Sequence, residues 1–115
     1  MPKRHQIAKL FVDGNTLDVT ATVEDDGSLT IFELSYGPAA DAWYGEGRDI
    51  EVWLTIPPKA VQQLSEHLFG QLVDNPADGA AQLLAANYEG DGSALRKIQE
   101  VLDQNDIRYE RVMWT

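Results

Sequence analysis

The chain has 115 residues, with 19 acidic against 9 basic side chains, a formal charge of −10 at neutral pH and no cysteine. That length predicts one domain over residues 1–115 burying about two thirds of its unfolded surface. Apolar content of 43% is too high for a disordered acidic chain. The charge disfavours direct binding to nucleic acid or an anionic membrane, and the missing cysteines remove disulfides, thiolate nucleophiles and thiolate metal sites.

Gln6–Val12 predicts a first strand, and Asp13-Gly14-Asn15 a tight turn. Leu17, Val19, Ala21 and Val23 alternate with Asp18, Thr20, Thr22 and Glu24, the period of a strand with one wet face. Glu24-Asp25-Asp26-Gly27 is a second turn, leading into a strand from Ser28 to about Tyr36. Gly37-Pro38 stops that strand, and Ala39–Tyr44 suits one short helical turn before Gly45-Glu46-Gly47.

Ile50, Val52, Leu54 and Ile56 then alternate with Glu51, Trp53 and Thr55 until Pro57-Pro58 ends pairing. Three helices follow. Lys59–Phe69 carries Val61, Leu64 and Leu68 at helical spacing and stops at Gly70; Pro76 to about Tyr88 is capped by Asn75 and loosened by Gly79; Ser93–Gln104 ends where Asn105 turns left-handed. Arg108–Trp114 closes as a strand. Strands first and helices second give an α+β fold: a mainly antiparallel sheet, a β-meander plus two further strands, with helices packed on one face and the other face open.

Chemistry is sparse. Ser65-Glu66-His67 has triad residue types, but successive helical residues project about 100° apart and cannot converge. His5, near the start, reads as a frayed position. Asn87–Gly92 begins like a calcium loop, yet its twelfth position is Ile98 instead of a bidentate glutamate, so Asp91 reads as a helix cap. Asp49 and Glu51 share a strand face and read as a solvated edge. Glycines sit singly, without a phosphate loop. No catalytic residue, cofactor or metal is assigned.

Surfaces carry more. Asp41-Ala42-Trp43-Tyr44-Gly45-Glu46-Gly47 places large aromatics among acids, suited to a basic partner that the rings bury and the carboxylates steer. Trp53 faces the wet side with Glu51 and Thr55, among Asp18, Thr20 and Thr22; Arg108, Arg111 and Trp114 are candidates to cover that side. Glu24, Asp25 and Asp26 form the densest negative cluster. The partner-binding set is therefore Glu24, Asp25, Asp26, Asp41, Trp43, Tyr44, Glu46, Asp49, Glu51 and Trp53.

Across Gly37–Gly45, Ile50–Pro57 and Asn105–Glu110 the chain resembles short uncharacterised bacterial proteins, often actinobacterial. The resemblance implies a bacterial or phage origin and a single α+β domain, and it transfers no functional residue. The reading is a non-enzymatic, cytoplasmic protein that occupies a basic protein surface, as a toxin-immunity protein or a nucleic-acid-mimicking inhibitor such as a phage counter-defence (anti-CRISPR-type) protein. Its alternatives are a small-ligand protein or carboxylate enzyme with a pocket between sheet and helices, and a homodimeric assembly subunit.

Overall fold

Alternation of apolar and polar residues is cashed out in a five-stranded antiparallel sheet whose spatial order equals its chain order. The structure, a computed structural model, describes residues 2–38 and 49–114. The strands are β1 (Lys3–Val12), β2 (Asn15–Val23), β3 (Leu29–Tyr36), β4 (Ile50–Ile56) and β5 (Glu110–Trp114); α1 (Pro58–Phe69), α2 (Pro76–Asn87) and α3 (Ala94–Gln104) lie between β4 and β5. This is the α+β architecture read from the sequence.

Register sorts the side chains into two layers. Val19 pairs with Ala8 and Glu33, Ala21 with Ile31, and Ile31 with Leu54, so these residues share the face that the helices cover. Val19, Ala21, Ile31 and Leu54 are fully buried there against Val61, Leu64, Ala80, Leu84, Ile98 and Leu102 from the three helices. The opposite face carries Thr20, Phe32, Trp53 and Val112 in one cross-strand row; it is exposed toward β5, while Thr16 and Thr20 of β2 are buried on it.

β1 starts earlier than the alternation indicates, at Lys3, because its register shifts between Gln6 and Ala8. The bulge sends the bulged Ile7 into the core at 1% exposure. It is held from both sides: the Gln6 amide donates to the carbonyls of Ala8 (2.9 Å) and Val19 (3.2 Å) and to Asp18, and the Ile7 carbonyl accepts the Gly90 N–H at 3.0 Å. His5 is therefore a strand residue opposite Ala21, not a frayed end. The β1–β2 turn is the two-residue Asp13-Gly14, both at positive φ (52° and 81°), the hairpin geometry matching strand twist.

The helix ends correct two expectations. Asn75 precedes α2 as its cap residue but makes no side-chain cap bond and is itself left-handed (φ 53°); its carbonyl accepts the Gly79 N–H at 3.1 Å. Asn105 has φ −109°, and the left-handed residue after α3 is Asp106 (φ 53°). The Asn105 side chain instead donates back to the Val101 carbonyl at 2.8 Å. Gly79, costly in a helix, sits where a Cβ would come 3.2 Å from the Phe69 ring of α1, so the missing side chain lets the two helices close.

Polar groups inside the helix layer are few. Glu33 is on the buried face of β3, opposite Val52, and burial pushes its carboxyl above the ordinary glutamate range while Arg111 pulls the other way. The folded state thus keeps a proton that the unfolded chain releases, so stability falls as pH rises through that window and the cost persists above it. Glu33→Gln is expected to raise the melting temperature at pH 7 and to match the wild type below the ordinary glutamate pKa of about 4.3; equal melting curves at both pH values would reject this account.

Candidate functional site

The turn between β2 and β3 is built to stay charged. The Glu24 N–H donates to the Ser28 carbonyl (2.9 Å) and the Gly27 N–H to the Glu24 carbonyl (3.1 Å), which fixes a tight reversal at the end of the sheet. Within it Asp26 accepts the Ser28 hydroxyl at 2.6 Å and the Ser28 N–H at 2.9 Å. The hydroxyl bond, followed by the backbone bond, holds the Asp26 carboxyl below its usual range.

Cross-strand register then brings this turn to Trp53. Thr30 pairs with Thr55 and Phe32 with Trp53, so the tip acids and the Trp53 side chain face the same shallow concavity. A groove of about 570 Å³ is lined by Glu24, Asp25, Asp26, Ser28, Thr30, Trp53 and Thr55. Its apolar wall is rigid, because Trp53 stacks on Phe32 with ring centroids 5.0 Å apart and planes at 29°. Three carboxylates beside a supported indole form a receptor for a guanidinium or ammonium group: the acids supply charge, the ring a cation–π surface.

Three of the residues expected around Trp53 are set back from it. Asp18, Thr20 and Thr22 lie on β2, and β3 intervenes, so the direct neighbours of Trp53 across strands are Phe32 and Val112. Phe32 was open to detection, since it shares the parity of Thr30 and Leu34 in an alternating strand. Glu51 does occupy the open face, between Leu34 and Trp114, but four residues along β4 from Thr55, about 13 Å away. Asp49 is exposed just before β4. The structure therefore separates Asp49 and Glu51 from the acidic turn. Asp41, Trp43, Tyr44 and Glu46 lie outside the described residues.

Of the proposed cover, Trp114 is on the open face and 62% exposed, whereas Arg111 pairs with Leu54 and so lies on the helix face. Beyond the groove, the open face continues through exposed Val112, Tyr36 and Phe11. These exposed apolar residues share the face with Asp18 and Glu51 as well as with the acids of the turn.

The catalytic candidates dissolve on inspection. Ser65 is 1% exposed while Glu66 and His67 of the same helix are on its outer side. The Ser65 hydroxyl is buried without a hydrogen-bond partner, which costs stability. Ser65→Ala is expected to raise unfolding free energy by about 1 kcal/mol, measured by urea titration; a loss of that size would mean that the hydroxyl has a partner. Asp91 lies two residues before the cap residue Ser93 of α3 and makes a local turn instead of capping, accepting the Ser93 N–H at 2.8 Å and the Lys97 ammonium at 2.6 Å, with the lysine bond the main cause of its lowered pKa. Among the described residues no three histidines, aspartates or glutamates are grouped to hold a metal, and no helix is long and apolar enough to cross a membrane.

Comparison of the chain with known protein families, with curated proteins and with solved structures finds no match.

Proposed function

We propose that this is a non-enzymatic binding protein that occupies a basic surface of a protein partner through the open face of its sheet, with the groove between the acidic turn and Trp53 as the point of engagement. The observation that carries the reading is the convergence of Glu24, Asp25 and Asp26 with Trp53 on one concave surface. An arginine or lysine of the partner enters the groove, its charged head among the carboxylates and its stem along the indole. Phe32, Val112 and Tyr36 on this face supply desolvated area, while the charge of −10 accelerates encounter. Toxin-immunity and nucleic-acid-mimicking inhibition, including phage counter-defence in the cytoplasm, both require this kind of surface.

The test uses two baits of equal net charge in affinity purification from the native host. One carries Glu24→Lys and Asp25→Lys at the groove, the other Glu66→Lys and Glu89→Lys, two exposed positions on the helical side. A basic protein retained by the wild type and the helical-side bait, and lost from the groove bait, is the expected result. Equal loss from both baits would reduce the effect to net charge and reject the groove.

A further inference from the structure

Cations are scarce in this chain, and four of the nine are engaged by acids among the described residues. Lys3 pairs with Asp78 (3.5 Å), Arg96 with Glu100 (3.2 Å), Lys97 with Asp91 (2.6 Å), and Arg111 acts on Glu33. Between Leu10 and Leu95 the sequence holds only Arg48 and Lys59. Despite the excess of acid, Lys59 and Arg108 make no ion pair or hydrogen bond among the described residues. Both line one cleft of about 580 Å³, together with Pro57, Pro58, Ala60 and Gln63.

The cleft is a product of chain closure. Lys59 opens α1, and Arg108 lies in the segment that leaves α3 for β5. Gln63 joins the two, its amide donating to the Asn105 carbonyl at 3.4 Å. The turn carrying Glu24, Asp25 and Asp26 is close by, since a Cβ on Gly27 would lie 3.7 Å from Pro58, yet none of those acids lines the cleft. Two unpaired cations over an apolar floor of two prolines and an alanine are what a ligand with an apolar body and an anionic head requires.

We propose that this cleft binds a small amphipathic monocarboxylate, its body on Pro57, Pro58 and Ala60 and its carboxylate between Lys59 and Arg108. The stems of both cations extend the apolar wall. The field of the whole protein selects against polyanions: each added negative charge is repelled by the surrounding acids over about 8 Å, whereas one carboxylate held by two cations at contact is not. Nucleotides and acidic peptides are thereby disfavoured. The site is independent of the acidic groove, which takes cations.

An amide-resolved NMR titration with 4-phenylbutyrate, against its uncharged analogue 4-phenylbutanamide, tests this. Saturable shifts of the Lys59, Ala60, Gln63 and Arg108 amides are expected with the carboxylate, and binding of the amide should be about tenfold weaker. The Lys59→Gln/Arg108→Gln variant should lose the same factor while keeping the wild-type melting temperature, because both side chains are exposed and unpaired among the described residues. Absence of saturable shifts up to about 10 mM, equal binding of the two probes, or unchanged affinity in a folded double variant would overturn the proposal.

Discussion

Replacing Gly37 by alanine is expected to lower the unfolding free energy by about 3 kcal/mol or more. Two costs add. Gly37 has φ +129°, a region that an L side chain rarely adopts. Its Cβ would also stand 2.7 Å from the Gly14 carbonyl oxygen and 2.8 Å from the Asn15 Cα. These are backbone atoms of the β1–β2 turn, so no rotamer change relieves the overlap. Gly70→Ala separates the two terms, because Gly70 is also left-handed (φ +73°) but a Cβ there meets nothing within 4 Å. That variant should lose only about 1 kcal/mol, the conformational term at a helix end. Urea unfolding of both proteins measures the difference; similar losses would mean that the close approach to the turn is not a constraint.

Leu54→Ala is the second large effect, about 3 to 4 kcal/mol. Leu54 is fully buried at the centre of β4. It sits in the row with Ala21 and Ile31, under helices that contribute Leu64, Ile98 and Leu102 to the same core. The lost methyl groups leave a space that the sheet and the helix layer cannot collapse into, so the cavity term is retained. For a domain of ordinary stability, about 5 to 15 kcal/mol, this removes about a fifth or more of the margin. Trp53→Ala, on the neighbouring position but the opposite face, serves as the comparison: the partly exposed indole costs less to remove.

The meander was legible because β2, β3 and β4 put their apolar residues on one face, and period-two alternation is the direct imprint of that sorting. β1 was legible in part. Its bulge at Gln6 and Ala8 breaks the alternation and hides the pairing of Lys3, Arg4 and His5, whose charges read as a terminus. The helix ends were placed by Pro58, Gly70 and Pro76, residues whose backbone limits are local. The caps at Asn75 and Asn105 failed because neighbouring backbone and side-chain bonds settled their conformations.

The groove was legible only as fragments. Trp53 and the Glu24–Asp26 cluster each stood out alone, but their meeting depends on Thr30 lying opposite Thr55, and register is a non-local property. Arg108 was read only as a possible cover for Trp53, and its meeting with Lys59 carried no signal, since nothing local links the start of one helix to the loop beyond another. The stacking of Phe32 on Trp53 was within reach of parity once β3 and β4 were paired.

The position of β5 has a kinetic consequence. Every other strand joins its sheet neighbour without an intervening described helix, but β5 returns to β4 only after all three helices. Its contacts close the longest loop in the fold, so it docks late and, being an edge strand exposed at every residue, detaches at lower free energy than the global transition. Since Val112 flanks Trp53, each such opening widens the indole's free surface without unfolding the sheet. Amide protection should therefore grade from β5 inward, and the face around Trp53 has two accessible widths set by the lifetime of one strand.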